Sequence, residues 1–255
     1  MTGHNRVWVV KLPRGQSDNQ KALLVEFAAR KIRELIEVAQ KALGKDPVKM
    51  GFWGGSHVRR TAIALAKLLG PSGHFEVFAL EQPAPERASA SRTIVSANAV
   101  CLAFADELGI DQYYPASNEK RNVRGIESHV VLAGIGDLSK NSPLSYLTEE
   151  LDGVTTQELG YKYRVVGDYL WNPITISGKF VNVPGFDNLN TLNLDDIKQG
   201  MINKGRAIVA IGSSVAKASV LRAYCCSNLV SGVCITSDLA QAVLDVDDKQ
   251  KDESG

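Results

Sequence analysis

The chain has 255 residues, of which 44% are apolar, enough to bury a sizeable core in one large domain or a domain with a sub-lobe. It carries 29 basic and 28 acidic residues, for a net charge of +1. A balance that even gives no reason to expect non-specific attachment to nucleic acid or to an anionic membrane.

The opening "MTGHNRVWVVKLPRG" has too short an apolar stretch for a signal peptide, and no small-residue cleavage site follows. "RVWVVKL" (6–12) reads as a buried strand. Residues 19–43 read as one long helix, because Leu24, Phe27, Ala28, Ile32, Leu35, Ile36, Ala39 and Leu43 recur at helical steps and Gly44 stops them. "VKMGFW" (48–53) is the next strand and 57–69 the next helix, closed by Gly70-Pro71. A strand over 75–80, a Pro-rich loop, a helix over 92–108 and a short strand in "QYYPA" follow. "SHVVLAGIG" (128–136) is the clearest buried strand, and a helical stretch lies between 143 and 159.

The stretch 163–184 changes character. Its β-branched and aromatic residues, with Asn172-Pro173 and Ser177-Gly178 as turns, predict hairpins in a small inserted lobe over about 161–184. "NLDDIKQG" looks helical, "RAIVAIGSS" (206–214) is a strand-to-helix junction, and the helix runs to about Cys226. "SGVCITSDLAQAVLD" supplies a last strand and helix, and the charged tail 246–255 is expected to be disordered. The βα alternation predicts an α/β, Rossmann-like, mainly parallel sheet with helices on both faces, as one domain over 1–245. No apolar run approaches the roughly 20 residues that span a bilayer, so no membrane partner is expected. Cys101, Cys225, Cys226 and Cys234 form no C-x-x-C pair and have no His cluster beside them. They imply a cytoplasmic protein with reduced thiols and no metal site.

Ligands of such sheets bind beyond the carboxyl ends of the strands, and three strand ends carry candidates. In "GFWGGSHVRRTA", Gly54 and Gly55 let the backbone approach a ligand, and the amides of Gly55, Ser56 and His57 open a helix, where an anion is favoured. The Ser56 hydroxyl and the charges of Arg59 and Arg60 add to it, though an ordinary βα turn has the same form. In "AGIGDLSKNS", Gly134 and Gly136 bracket a strand end, but position 139 is Ser, so the dinucleotide fingerprint is incomplete and no cofactor is implied. In "AIGSSVAKAS", Gly212 ends a strand, Ser213 or Ser214 can cap a helix, and Lys217 lies on its first turn. A lysine there opposes the helix dipole unless an anion is bound; a solvated lysine is the plainer alternative. Asp168, between apolar residues in "VVGDYLW", needs partners if buried: backbone amides or ligand hydroxyls. His57, His74 and His129 show no metal spacing.

Taken together, these junctions resemble the sugar-binding effector domain of SorC-type (DeoR-like) bacterial transcriptional regulators, over about residues 7 to 245. "VVLAGIGDLSKNSPLSYL" resembles the family's strand and Gly-x-Gly-Ser turn, and "GVTTQELGYKYRVVGDYLWNPITISGKFVNVP" resembles its "GAVGD…F…G" segment. "AIVAIGSSVAKASVLRA" with "LVSGVCITSDLAQAVL" resembles its ending, and "SANAVCLAFADELG" its Asn-containing helix. The resemblance implies a fold related to glucosamine-6-phosphate deaminase and ribose-5-phosphate isomerase. It also implies binding of a phosphorylated small sugar and association into homo-oligomers. Gly54, Gly55, Ser56 and Lys217 would contact phosphate, and Asp168, Gly134 and Gly136 would line the sugar; Arg59, Arg60 and Gln82 are further candidates.

Two departures stand out. Glu81-Gln82-Pro83-Ala84 replaces an Asn-Gly-Gly-like turn, and the first loop is longer than the family's Gly-x-Thr form. Full-length regulators carry a helix-turn-helix domain, whereas only about five residues precede the first strand here and no basic patch exists. The chain is therefore expected to sense a ligand rather than to bind DNA by itself. The alternative is an isomerase, deaminase or lactonase acting on a sugar phosphate, with Asp168 as its base, together with Glu81 or His57.

Overall fold

The computed structural model describes residues 6–12, 17–71, 74–81, 95–111, 113–116, 126–139, 142, 144, 154–184, 186, 199 and 206–252. Seven strands form a parallel sheet: β1 (Arg6–Val10), β2 (Val48–Phe52), β3 (Phe75–Ala79), β4 (Tyr113–Tyr114), β5 (Val130–Ala133), β9 (Ala207–Gly212) and β10 (Gly232–Thr236). Their order across the sheet is β1-β10-β9-β5-β2-β3-β4. The chain runs outward from β2 through β3 to β4, then returns to the other side of β2 and continues through β5, β9 and β10. The order therefore reverses between β2 and β5, where Met50 pairs with Val130 and Phe52 with Leu132. The crevice beyond their carboxyl ends is the topological switch point of the sheet.

The central strands are apolar on both faces because both faces are covered. Met50, Phe52, Val130, Leu132, Val209, Ile211 and Cys234 face α1 (Ser17–Leu43), α2 (Ser56–Leu69) and α3 (Ala97–Leu108). Val131, Ala133, Ile208, Ala210, Val233 and Ile235 face α5 (Ala218–Cys226), α6 (Ser237–Asp252) and the small lobe. On α1 the stripe Leu24, Ala28, Ile32, Leu35, Ile36 and Ala39 is buried, while Arg30–Glu26 and Arg33–Glu37 pair on its outer face at 3.2 and 2.9 Å. Gly44 ends α1 in the left-handed region, φ 66°, and Gly109 ends α3 in the same way, φ 68°. No helix among the described residues is long and apolar enough to cross a membrane.

The first strand is not buried. It pairs only with β10, at the rim, and leaves Val7 61% and Val9 45% exposed. Its apolar run is that of a central strand, and periodicity carries no information on position within the sheet. Beyond β10, α6 extends to Asp252, into the stretch expected to be a disordered tail. The stretch expected to be helical over 143–159 is described mainly through α4 (Thr156–Tyr161), which opens on a capping box between Thr155 and Glu158. "NLDDIKQG" lies outside the described residues apart from residue 199.

A second, antiparallel sheet is built from β6 (Gly136–Asp137), β7 (Val165–Tyr169) and β8 (Asn172–Thr175). This is the inserted hairpin lobe, but its turn is displaced from the predicted position. Asn172-Pro173 opens β8, and the turn falls on Leu170 and Trp171, which adopt φ 49° and 65°. Two left-handed residues are what a tight hairpin needs, and Gly or Asn are its usual occupants. Here Leu170 and Trp171 are held there by side chains. Asp168 Oδ2 accepts from the Trp171 amide at 3.0 Å, and Asn172 Nδ2 donates to the carbonyls of Tyr169 and Leu170 at 3.1 and 3.0 Å. The second expected turn is present: Gly178, φ 78°, donates its N–H to Thr175 O at 2.9 Å.

Candidate functional site

The loops after β2, β5 and β9 meet at the switch point. Gly134 O-side backbone and the Gly54 carbonyl are so close that a Cβ on Gly134 would stand 2.7 Å from Gly54 O. Lys217 Nζ donates to Ile135 O at 2.5 Å, which ties the β9 loop to the β5 loop. Ser213 Oγ lies 2.9 Å from His57 Nε2, which ties the β9 loop to the first turn of α2. The two chain segments expected to enclose one anion therefore do sit together, at one end of the sheet.

The β2 loop is organised differently from the sequence expectation. The Gly54 N–H donates to Glu81 Oε2 at 2.7 Å, and the Gly55 N–H donates to Val95 O at 2.7 Å. Both glycine amides are thus already bonded. The glycines are required for another reason: a Cβ on Gly54 would meet Glu81 Oε2 at 2.7 Å and Val95 O at 2.9 Å, and Gly55 adopts φ 126°. The amides of Ser56, His57 and Val58 open α2 and have no acceptor within the helix. Ser56 is exposed, and Arg60 is exposed on the next turn. Arg59 has a buried Nε with no partner among the described residues. Gln82 lies outside the described residues.

Lys217 does not sit inside a helix. It ends the 3₁₀ turn Val215–Lys217 and caps α5. Its ammonium group is largely buried, which lowers its pKa; the negative charges of Asp137 and Asp168 oppose that shift. His57 is pushed down to about 4, first by burial and then by the positive charges of Lys217, Arg60 and Lys21. Its imidazole is therefore neutral at pH 7 and serves as a hydrogen-bond partner of Ser213 within a ring of cations. His129, by contrast, is structural: its Nδ1 accepts from the Lys49 amide at 2.9 Å, far along the strand from the loops.

The acidic side of the site lies on the small sheet and the β3 end. Asp168 is 7% exposed and faces Gly136 across the β6–β7 ladder, so closely that a Cβ on Gly136 would collide with Asp168 Oδ1. Tyr224 of α5 donates its hydroxyl to the Asp168 backbone carbonyl at 2.5 Å. Burial raises the Asp168 carboxyl to about 6, against the lowering effects of the Trp171 amide and of Lys217. Burial also raises Glu81 to about 8; the Gly54 amide lowers it and the charge of Asp168 adds to the rise. Trp53, the residue before Gly54, packs edge-on against Tyr169 with ring centroids 4.6 Å apart, and its buried Nε1 has no acceptor among the described residues.

Sequence reasoning had named Lys217, Asp168 and the glycine turns, and the structure places these at the same end of the sheet. The sequence reading treated Ser213 only as a helix cap and gave Glu81 a secondary place, and it passed over Tyr224 and Trp53. Glu81 was signalled by its position, directly after the buried strand end "VFAL". Ser213 and Tyr224 act through partners far away in sequence, which local pattern does not show.

No family model matches the chain, and no curated protein matches it. Solved structures do. A transcriptional regulator from Streptococcus pneumoniae TIGR4 superposes with a TM-score of 0.70 at 17% identity, covering 95% of this chain and 92% of that one. The full-length sorbitol operon regulator SorC from Klebsiella pneumoniae gives 0.68 at 13% identity, covering 93% of this chain and 76% of the regulator. A DeoR family transcriptional regulator from Listeria monocytogenes gives 0.66 at 16%, covering 93% and 92%. The likeness lies in the fold, over 93–95% of this chain: the molecule shares the fold of these transcriptional regulators, SorC and a DeoR-family member among them.

Proposed function

We propose that the switch-point crevice binds a phosphorylated small sugar, and that the chain is a cytoplasmic, self-associating sensor of that ligand. The observation that carries this reading is Lys217. Its buried ammonium group stands at the meeting point of three loops, bonded to Ile135 O and within the field of the cations around His57. A largely buried ammonium group with further cations nearby is a favourable place for an anion. The first amides of α2 and the Ser56 hydroxyl are at the same edge and supply further donors. Gly54 and Gly55 shape the loop, and Arg59 and Arg60 flank it. Asp168 and the Gly134–Gly136 turn face the hydroxyls of the sugar. A solved relative is described as a sugar-binding domain of a transcriptional repressor from Vibrio fischeri, which agrees with this reading.

Titration calorimetry against a panel of sugar phosphates tests it. Binding by at least one member is expected, with Lys217→Met weakening it by about 10- to 100-fold, the effect of losing a charge-assisted hydrogen bond. Absence of heat from every member overturns the reading.

One observation favours an enzymatic second reading. Half-buried Glu81 and buried Asp168 act on each other electrostatically and have different affinities for a proton, about 8 and about 6, and such pairs divide acid and base roles. On a fold related to sugar-phosphate isomerases and deaminases, this pair would act on the bound sugar. Turnover of ribose 5-phosphate or glucosamine 6-phosphate, abolished by Asp168→Asn, would establish it in place of the sensor.

A further inference from the structure

We propose that the ligand is a phosphorylated amino sugar, whose ammonium group is received between the carboxyls of Glu81 and Asp168 while its phosphate lies toward Lys217 and the start of α2. This inference rests on the sugar-phosphate reading and names the class of sugar within it.

The argument is one of charge placement. The crevice is divided into two sides. Lys217, Lys21 and Arg60 surround the neutral His57 on one side, and each acts on it as a positive charge. Glu81 and Asp168 lie on the other, close enough for the charge of Asp168 to act on Glu81. Lys217 stands between the sides and is the cation that Asp168 feels. No cation among the described residues acts on Glu81; its contacts are the Gly54 amide and a like charge. A phosphate would draw on Lys217, which leaves the acidic side still less compensated.

Each carboxyl uses one oxygen to hold a backbone amide: Glu81 Oε2 that of Gly54 and Asp168 Oδ2 that of Trp171. These bonds orient the groups, and the Asp168 carboxyl is also stabilised by its own backbone amide. Gly136 provides the space in front of Asp168, since a Cβ there would collide with Oδ1. In the free protein the pair avoids two charges side by side by keeping the Glu81 proton, and a cationic group of the ligand would take over that role. An ammonium group provides three donors and one positive charge for it. Trp53, 2% exposed, borders this side with its ring against Tyr169, and its buried indole N–H has no acceptor among the described residues, so a donor is also present for a ring or hydroxyl oxygen of the ligand.

The chemistry of Glu81 gives the inference an independent readout. With an affinity of about 8 it holds a proton at pH 7 in the free protein. An ammonium group beside it stabilises the carboxylate, so binding should release close to one proton from Glu81 to the buffer.

The experiment compares matched pairs on the full chain by calorimetry at pH 7: glucose, galactose and mannose 6-phosphates, each against its 2-amino-2-deoxy counterpart. At least one amino member is expected to bind about tenfold or more tightly than its hydroxyl partner, in the range of one charge-assisted hydrogen bond. Measured in two buffers of different ionisation enthalpy, that member alone should release a proton. Glu81→Gln keeps an oxygen for the Gly54 amide and should bring both the preference and the proton release to near zero. Equal or better binding of the hydroxyl members overturns the inference, as does an amine preference that survives Glu81→Gln. Binding of other sugar phosphates without any amino member does the same. In these outcomes the sugar-phosphate reading stands; it fails only when no phosphorylated sugar binds at all.

Discussion

Ser213 Oγ and His57 Nε2 are 2.9 Å apart although 156 positions separate them in the chain. This bond joins the loop after β9 to the helix after β2 across the carboxyl end of β5. It also decides the role of the histidine. An imidazole among Lys217, Arg60 and Lys21 does not take a proton at neutral pH, so its partner is a hydroxyl rather than a carboxylate. Ser213→Ala removes the link while keeping the strand end. A loss of about 0.5–1.5 kcal/mol in stability is expected, with binding of a sugar phosphate weakened as well because the two loops are no longer tied. Calorimetry and a melting curve on the same sample check both halves.

Gly167 sits where β6, β7 and α5 come together. A Cβ there would collide with Gly136 O and stand 2.7 Å from Val220 Cγ2. Gly167→Ala is expected to cost about 1–3 kcal/mol, the usual penalty of overpacking. Because Gly167 adjoins Asp168, the variant should lose ligand affinity as well. Urea denaturation with and without ligand measures the two effects.

Tyr169 is fully buried and donates its hydroxyl to Leu229 O at 2.8 Å, on the side of the small lobe that faces α5. Tyr169→Phe leaves that carbonyl without its donor in a dry place. A loss of about 1–2 kcal/mol in stability is expected, with ligand affinity retained. A drop in affinity as large as that of the Ser213 variant would mean that the lobe is not held as described.

The pH dependence of stability has two limbs of opposite sign. Glu81 and Asp168 bind protons more tightly when folded, at about 8 and about 6 against ordinary values of 4.5 and 3.8. Their contribution is full below the ordinary values and is lost as pH rises through the folded ones. His57 and His129 are held at about 4 against 6.5, so their contribution is present above 6.5 and is lost as pH falls toward 4. The ligand-free protein should therefore be most stable near pH 6 to 7. Glu81→Gln removes the largest alkaline effect. Its melting temperature relative to the unaltered protein should rise by a few degrees between pH 6 and pH 9. A constant difference over that range would place the Glu81 carboxyl in solvent.

Most of the large sheet was legible because buried parallel strands announce themselves as continuous apolar runs bounded by glycine. "VVLA" and "AIVAIG" are examples. The amphipathic stripe of α1 was equally plain. What pattern could not supply was position and partnership. Val7 and Val9 read like core residues and lie at the rim. The hairpin turn was placed on Asn172-Pro173 because those residues favour turns, yet the carboxylate of Asp168 and the amide of Asn172 hold it on Leu170 and Trp171. At the site, the glycine turns and Lys217 were visible as local departures from ordinary βα loops. The use of the Gly54 amide by Glu81 was not, because that bond depends on two strand ends lying side by side.

The pairing of β1 with β10 has a bearing on how the molecule is made. Arg6 lies opposite Gly232 and Val10 opposite Thr236, so β1 has its neighbour more than two hundred positions further along the chain. β2, β3 and β5 can join one another while synthesis continues, but Val7 and Val9 must remain unpartnered throughout that time. Closure by so distant a segment is slow. While the intervening residues are made, the nascent chain therefore carries β1 as a sticky ribbon, the part of this sheet that a chaperone has most reason to hold.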